Sequence, residues 1–110
     1  MIARPRKADY RITVSPEADA QLIALYRYIA VEASPRTAER FVGTILDQCE
    51  KLSRLPERGA PRGDLRPGLR TLAFRRVVIA YAVGEGLVTI VGVFNGGQDF
   101  KGMLAGDPPP

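Results

Sequence analysis

A chain of 110 residues that is 45% hydrophobic and 25% charged, with a formal net charge of +4, has room for one domain and one core. No apolar run approaches the roughly 20 residues a membrane-spanning helix requires, and the basic start of the chain is not followed by the apolar stretch of a secretory signal. A single cysteine and no histidine leave no internal disulfide and no clustered metal ligands, so a cytoplasmic protein without cofactor or metal is expected.

Residues 1–9 read as a flexible basic arm. Residues 10–14, Y-R-I-T-V, alternate large apolar with polar side chains, which is the period of a strand. Ser15-Pro16-Glu17 then has the form of a helix start. A serine hydroxyl can accept from an orphan N–H, proline is at home in the first turn, and glutamate suits the positive helix end. Ala18, Leu22, Leu25, Tyr26, Ile29 and Ala30 follow at helical spacing. Ser34-Pro35-Arg36 repeats the start signal. A second stripe runs Ala38, Phe41, Val42, Ile45, Leu46, Cys49, Leu52 and Leu55, and ends before Pro56. So short a link predicts an antiparallel helical hairpin, with Cys49 as a core thiol.

Residues 56–68, P-E-R-G-A-P-R-G-D-L-R-P-G, form the one clear loop. Three apolar runs, 69–74, 77–83 and 87–94, complete the chain as strands. Arg75-Arg76 and Gly84-Glu85-Gly86 mark the two hairpin turns between them. Residues 101–110, closing on Asp107-Pro108-Pro109-Pro110, are expected to be a disordered tail. The predicted fold is α+β: a two-layer βααβββ domain over residues 10–100, with an αα-hairpin on a four-stranded, mainly antiparallel sheet.

Charge and apolarity both point outward from this core. Thirteen arginines stand against three lysines, and eight of the basic residues fall between Lys51 and Arg76 against only Glu57 and Asp64. Such a stretch is either an ordinary solvated surface or a patch facing nucleic acid or an acidic protein. In residues 77–83 both faces of the strand are apolar, with Val77, Ile79, Tyr81 and Val83 opposing Val78, Ala80 and Ala82. One helical hairpin covers one face. An exposed apolar face for a partner is therefore expected, unless the loop, the tail or a second copy covers it.

The ordered set of these segments resembles the RelE/ParE toxin superfamily, and its ParE (plasmid stabilisation) branch in particular. The matching stretches are Y-R-I-T-V-S-P-E-A at 10–18, Y-I-A at 28–30, S-P-R-T-A-E-R-F at 34–41, L-S-R-L-P-E-R-G at 52–59, L-R-P-G-L-R-T-L at 65–72, V-I-A-Y-A-V at 78–83 and V-T-I-V-G-V-F at 88–94. The resemblance implies a toxin of a type II toxin–antitoxin module, neutralised in a hetero-oligomer by a ParD-like antitoxin. It leaves the target open among relatives, since one fold carries several activities. ParE-like members inhibit DNA gyrase. RelE-like members cut mRNA on the ribosome, and a degenerate, regulatory toxin is a third possibility.

Cleavage by 2′-OH attack needs a base, an acid and cations about the phosphate. Asn95 stands where nuclease relatives often carry histidine, and an amide transfers no proton at neutral pH. Tyr81 lies mid-strand and Asp99 reads as a turn residue. The residues therefore favour inhibition by binding over catalysis, with no catalytic residue assigned. Candidates for target contact are Arg70, Arg75, Arg76, Asn95, Gln98, Asp99 and Phe100. Candidates for antitoxin contact are Arg62, Arg66, Val78, Tyr81 and Ile90.

Overall fold

A computed structural model describes residues 9–96. The proposed arm, apart from Asp9, and the tail lie outside the described residues, as do Gln98, Asp99 and Phe100. Strand β1 (Arg11–Val14) leads into helices α1 (Pro16–Glu32) and α2 (Pro35–Lys51). Strands β2 (Ala60–Pro61), β3 (Leu69–Phe74), β4 (Val77–Gly84) and β5 (Leu87–Asn95) follow. Their order in the sheet is β1-β5-β4-β3-β2, with β1 parallel to β5 and every other pair antiparallel.

Ser15 is the joint between strand and helix. Its N–H donates to the Ile90 carbonyl at 2.9 Å, closing the β1–β5 pair, while its hydroxyl accepts from Ala18 N–H at 3.1 Å. Ser34 caps α2 in the same way, accepting from Thr37 N–H at 3.0 Å. Each cap satisfies a donor the helix itself cannot, worth about 1 kcal/mol. The helical hairpin thus forms where the two serine–proline starts place it. α2 is shorter than its apolar stripe: it ends at Lys51, and Leu55, beyond it, is exposed rather than part of the core.

α1 lies on β5 and α2 packs on α1. The main core joins Leu22, Leu25, Ile45, Cys49 and Leu52 from the helices and their C-terminal turn to Val77, Ile79, Tyr81, Val88, Ile90 and Val93 from the sheet. Burying Cys49 pushes its thiol up to about 11, an effect that the neighbouring Glu50 charge reinforces.

Three expectations are corrected. The sheet has five strands, because Ala60 and Pro61 pair with Thr71 and Arg70 inside what read as pure loop. Proline is accommodated there because the strand lies at the sheet edge, where its missing N–H costs no ladder bond. The sheet face away from the helices is not an open apolar patch. Leu69, Ala80 and Phe94 are buried in a second small cluster, with Leu65 of the loop and Val91 packed against them. A bulge beside Tyr81 sets Ala80 opposite Gly92 but Tyr81 opposite Ile90, leaving Val91 as the extra residue. Finally, Tyr81 and Ile90 are fully buried beneath the helices, so neither offers the partner surface expected of it.

Candidate functional site

Alternation along β3 and β4 sends the sequence-selected residues to different places. Arg70 sits opposite Tyr81 in the register. Its guanidinium donates to the carbonyls of Gly59 at 2.6 Å and Glu57 at 3.1 Å. The Tyr81 hydroxyl accepts from Gly59 N–H at 2.7 Å and donates to the Pro56 carbonyl at 2.8 Å. Together the two side chains hold residues 56–59 against the sheet. Gly59 is required by space, because a Cβ there would come within 2.7 Å of Thr71 O and 2.8 Å of the Tyr81 hydroxyl. Burial pushes the Tyr81 phenol above its ordinary value, although the Gly59 hydrogen bond and the charges of Arg70 and Arg58 pull the other way. With both capacities of its hydroxyl used and no exposed surface, Tyr81 is poorly placed to act as a general acid.

Arg75 and Arg76 are the two residues of the β3–β4 hairpin loop, since Phe74 and Val77 pair across it. Arg75 holds φ +57°, a left-handed conformation that a side chain resists at a cost of roughly 1–2 kcal/mol. Its guanidinium carbon lies 5.3 Å from the Phe74 ring centroid, a cation–π contact. Val77 pairs with Asn95, and the Arg76 carbonyl lies 3.6 Å from where a Cβ on Gly96 would stand, so this loop and the end of β5 share one end of the sheet. Arg75, Arg76 and Asn95 are therefore brought together there, all exposed, and Arg70 is not.

Among the residues considered for an antitoxin, Arg62 makes a two-pronged bond to Asp64, with Nε to Oδ1 at 3.0 Å and Nη2 to Oδ2 at 2.9 Å. Arg66 is exposed nearby, and Val78 is half-buried on the face away from the helices, opposite Phe94. Among the described residues no group of three histidine, cysteine, aspartate or glutamate side chains could hold a metal, and no helix is long and apolar enough to cross a membrane.

The exposed apolar surface that sequence reasoning placed on the sheet lies instead on the helices. Among the described residues, Ile23, Tyr28 and Val31 of α1, Leu46 of α2, Val14 of β1 and Leu55 after α2 are the exposed large apolar side chains. Val14, Leu22, Ile23, Tyr26, Val42 and Leu46, with Asp19 and Arg27, line a groove of about 390 Å³. The signal for it was present in Ile23, which falls outside the inward stripe of α1, and a helix apolar on more than one face wants more than one neighbour.

The order and identity of these segments match a known family over most of the chain. Residues 12–100 fit the profile described as "ParE toxin of type II toxin-antitoxin system, parDE". The chain belongs to the ParE toxin family. Among solved structures, a chain from "Chromosomal ParDE TA system from P. aeruginosa" has the same fold, with a TM-score of 0.70 at 24% identity, over 80% of this chain and 97% of that one. No curated protein sequence matches. The helical hairpin over a mixed sheet described above is thus shared with that chain, and is reached here through the caps, bulge and loop anchors of this sequence.

Proposed function

We propose that this chain is the toxin of a type II module, acting in the cytoplasm by binding DNA gyrase rather than by catalysis. A ParD-like antitoxin would hold it inactive in a hetero-oligomer, with residues 10–100 forming the toxin unit. Family membership supports the toxin role. The end of the sheet carries the choice of mechanism. There Arg75 and Arg76 stand beside Asn95, a combination that supplies charge and hydrogen bonds but no group able to move a proton near neutral pH. Tyr81, the phenol within the sheet strands, is held by the loop. An arginine pair on a tight turn suits recognition of a charged macromolecular surface.

The test is to add purified protein to a gyrase supercoiling reaction and, separately, to a translation reaction with defined mRNA. Loss of supercoiling with intact mRNA is the expected result, and replacement of Arg75 and Arg76 by alanine should relieve it. Site-selective mRNA cuts that appear only with ribosomes would overturn the reading and identify a RelE-like nuclease. Addition of a cognate ParD-like antitoxin should abolish inhibition.

A further inference from the structure

From the groove on the helical hairpin we infer that this chain self-associates: a second copy docks there, α1 against α1 in antiparallel fashion about a two-fold axis at Ile23. This goes beyond the toxin reading and does not depend on which target the toxin has.

In the groove α1 leaves Ile23 44% exposed, beside Val14 at 37% and Leu46 at 43%. Water is a poor neighbour for such a surface, and contiguous exposed apolar patches mark interfaces. What specifies the occupant is the row Asp19, Ile23, Arg27 along the groove, spaced four residues apart on one helix face. It reads acid, apolar, base at equal intervals, spanning roughly 12 Å. Rotating a copy by 180° about an axis through Ile23 exchanges the two ends. Asp19 of each copy then meets Arg27 of the other, and Ile23 meets Ile23. An isologous interface needs this self-complementarity, in which residue i meets j and j meets i.

Asp19 and Arg27 are exposed and available for that exchange. The ion pairs among the described residues, Arg54–Asp9 and Arg62–Asp64, use neither of them. Val14 and Leu46 flank the row and are exposed in the single chain, so a second copy would bury them as well. The groove opens beside Val14 on β1, one edge of the sheet, whereas Arg62 follows β2 at the opposite edge. Two chains of net charge +4 can therefore meet here without pressing their β2-edge arginines together.

Sedimentation equilibrium of the full chain, over a concentration series in the absence of any antitoxin, provides the test. Wild type should show a concentration-dependent dimer. Asp19→Arg and Arg27→Asp should each weaken it by roughly tenfold or more, because each places like charges opposite one another twice. The double variant D19R/R27D should recover affinity to within about threefold, since the pattern is inverted but intact. An equimolar mixture of the two single variants should recover it equally, because one copy then carries two bases and the other two acids. This mixture also shows that the single variants are folded. A wild type that remains monomeric throughout, with the groove protected only by an antitoxin, would overturn the inference. So would a dimer indifferent to these charge changes.

Discussion

The hydroxyl of Tyr81 and the amide of Gly59, 22 residues apart in sequence, are joined by a 2.7 Å hydrogen bond that fastens the loop after α2 to the centre of the sheet. The same hydroxyl donates to the Pro56 carbonyl. Tyr81→Phe keeps the ring but leaves both backbone groups without this partner, a loss of about 1–3 kcal/mol. Gly59→Ala should cost a similar amount for a different reason, since the added methyl meets the Thr71 carbonyl and the Tyr81 hydroxyl. Urea denaturation of each variant checks both values. Faster proteolysis within residues 56–61 is expected for Tyr81→Phe.

Gly92 lies under the ring of Phe94, which occupies the space a Cβ would need. Gly92→Ala should destabilise the protein by about 1–3 kcal/mol through displacement of that ring. In a Phe94→Leu background most of the penalty should vanish, so a double-mutant cycle should give a coupling of about 1 kcal/mol or more. Additive effects would show that the ring yields without strain.

Cys49 makes stability depend on alkaline pH. Its thiol is raised from 9.0 to about 11 in the folded chain. Below pH 9 both states keep the proton and the stabilisation is complete. Between pH 9 and 11 the unfolded chain ionises first, so stability falls with rising pH, by a total on the order of 2–3 kcal/mol once the folded pKa is passed. Cys49→Ala should lower stability at neutral pH through the cavity it leaves, and flatten this part of the pH profile. Thermal melts from pH 8 to 11 make the comparison.

Arg75 combines backbone strain with an exposed charge. Arg75→Gly relieves a left-handed residue of roughly 1–2 kcal/mol and gives up a cation–π contact of about 0.5–1 kcal/mol, while adding freedom to the unfolded chain. Stability should stay within about 1 kcal/mol of wild type. Inhibition of the target should nonetheless fall in the supercoiling assay. Equal activity at equal stability would remove Arg75 from the contact surface.

Much of the architecture was legible because it depends on local chemistry. Ser15-Pro16 and Ser34-Pro35 start helices wherever they precede an amphipathic run, and Arg75-Arg76 and residues 84–86 fall between apolar runs too short to be anything but strands. The candidate site was legible only in part. Arg75, Arg76 and Asn95 sit at turns and strand ends, where exposure follows from position, and pairing across the hairpins brings them together. Arg70 reads as one more exposed arginine, but its alternation partner is Tyr81, so it faces inward and binds the Gly59 and Glu57 carbonyls.

The faces of the sheet are the clearest division. That both faces of β4 are apolar is a property of the sequence alone. Which face the helices take, and what becomes of the other, was decided by long-range packing: Leu65 folds back from the loop, Phe94 lies over Gly92, and the second face closes on itself. Likewise, the sequence by itself determined that α1 has more apolar residues than one stripe can use. Only the tertiary structure showed which of them remain outside, because a helix turns Ile23, Tyr28 and Val31 toward water or protein according to where α2 and β5 happen to lie. Local pattern specifies elements through backbone and side-chain periodicity. Burial is a property of neighbours distant in the chain, and it is burial that separated structural arginine and tyrosine from the arginines left exposed.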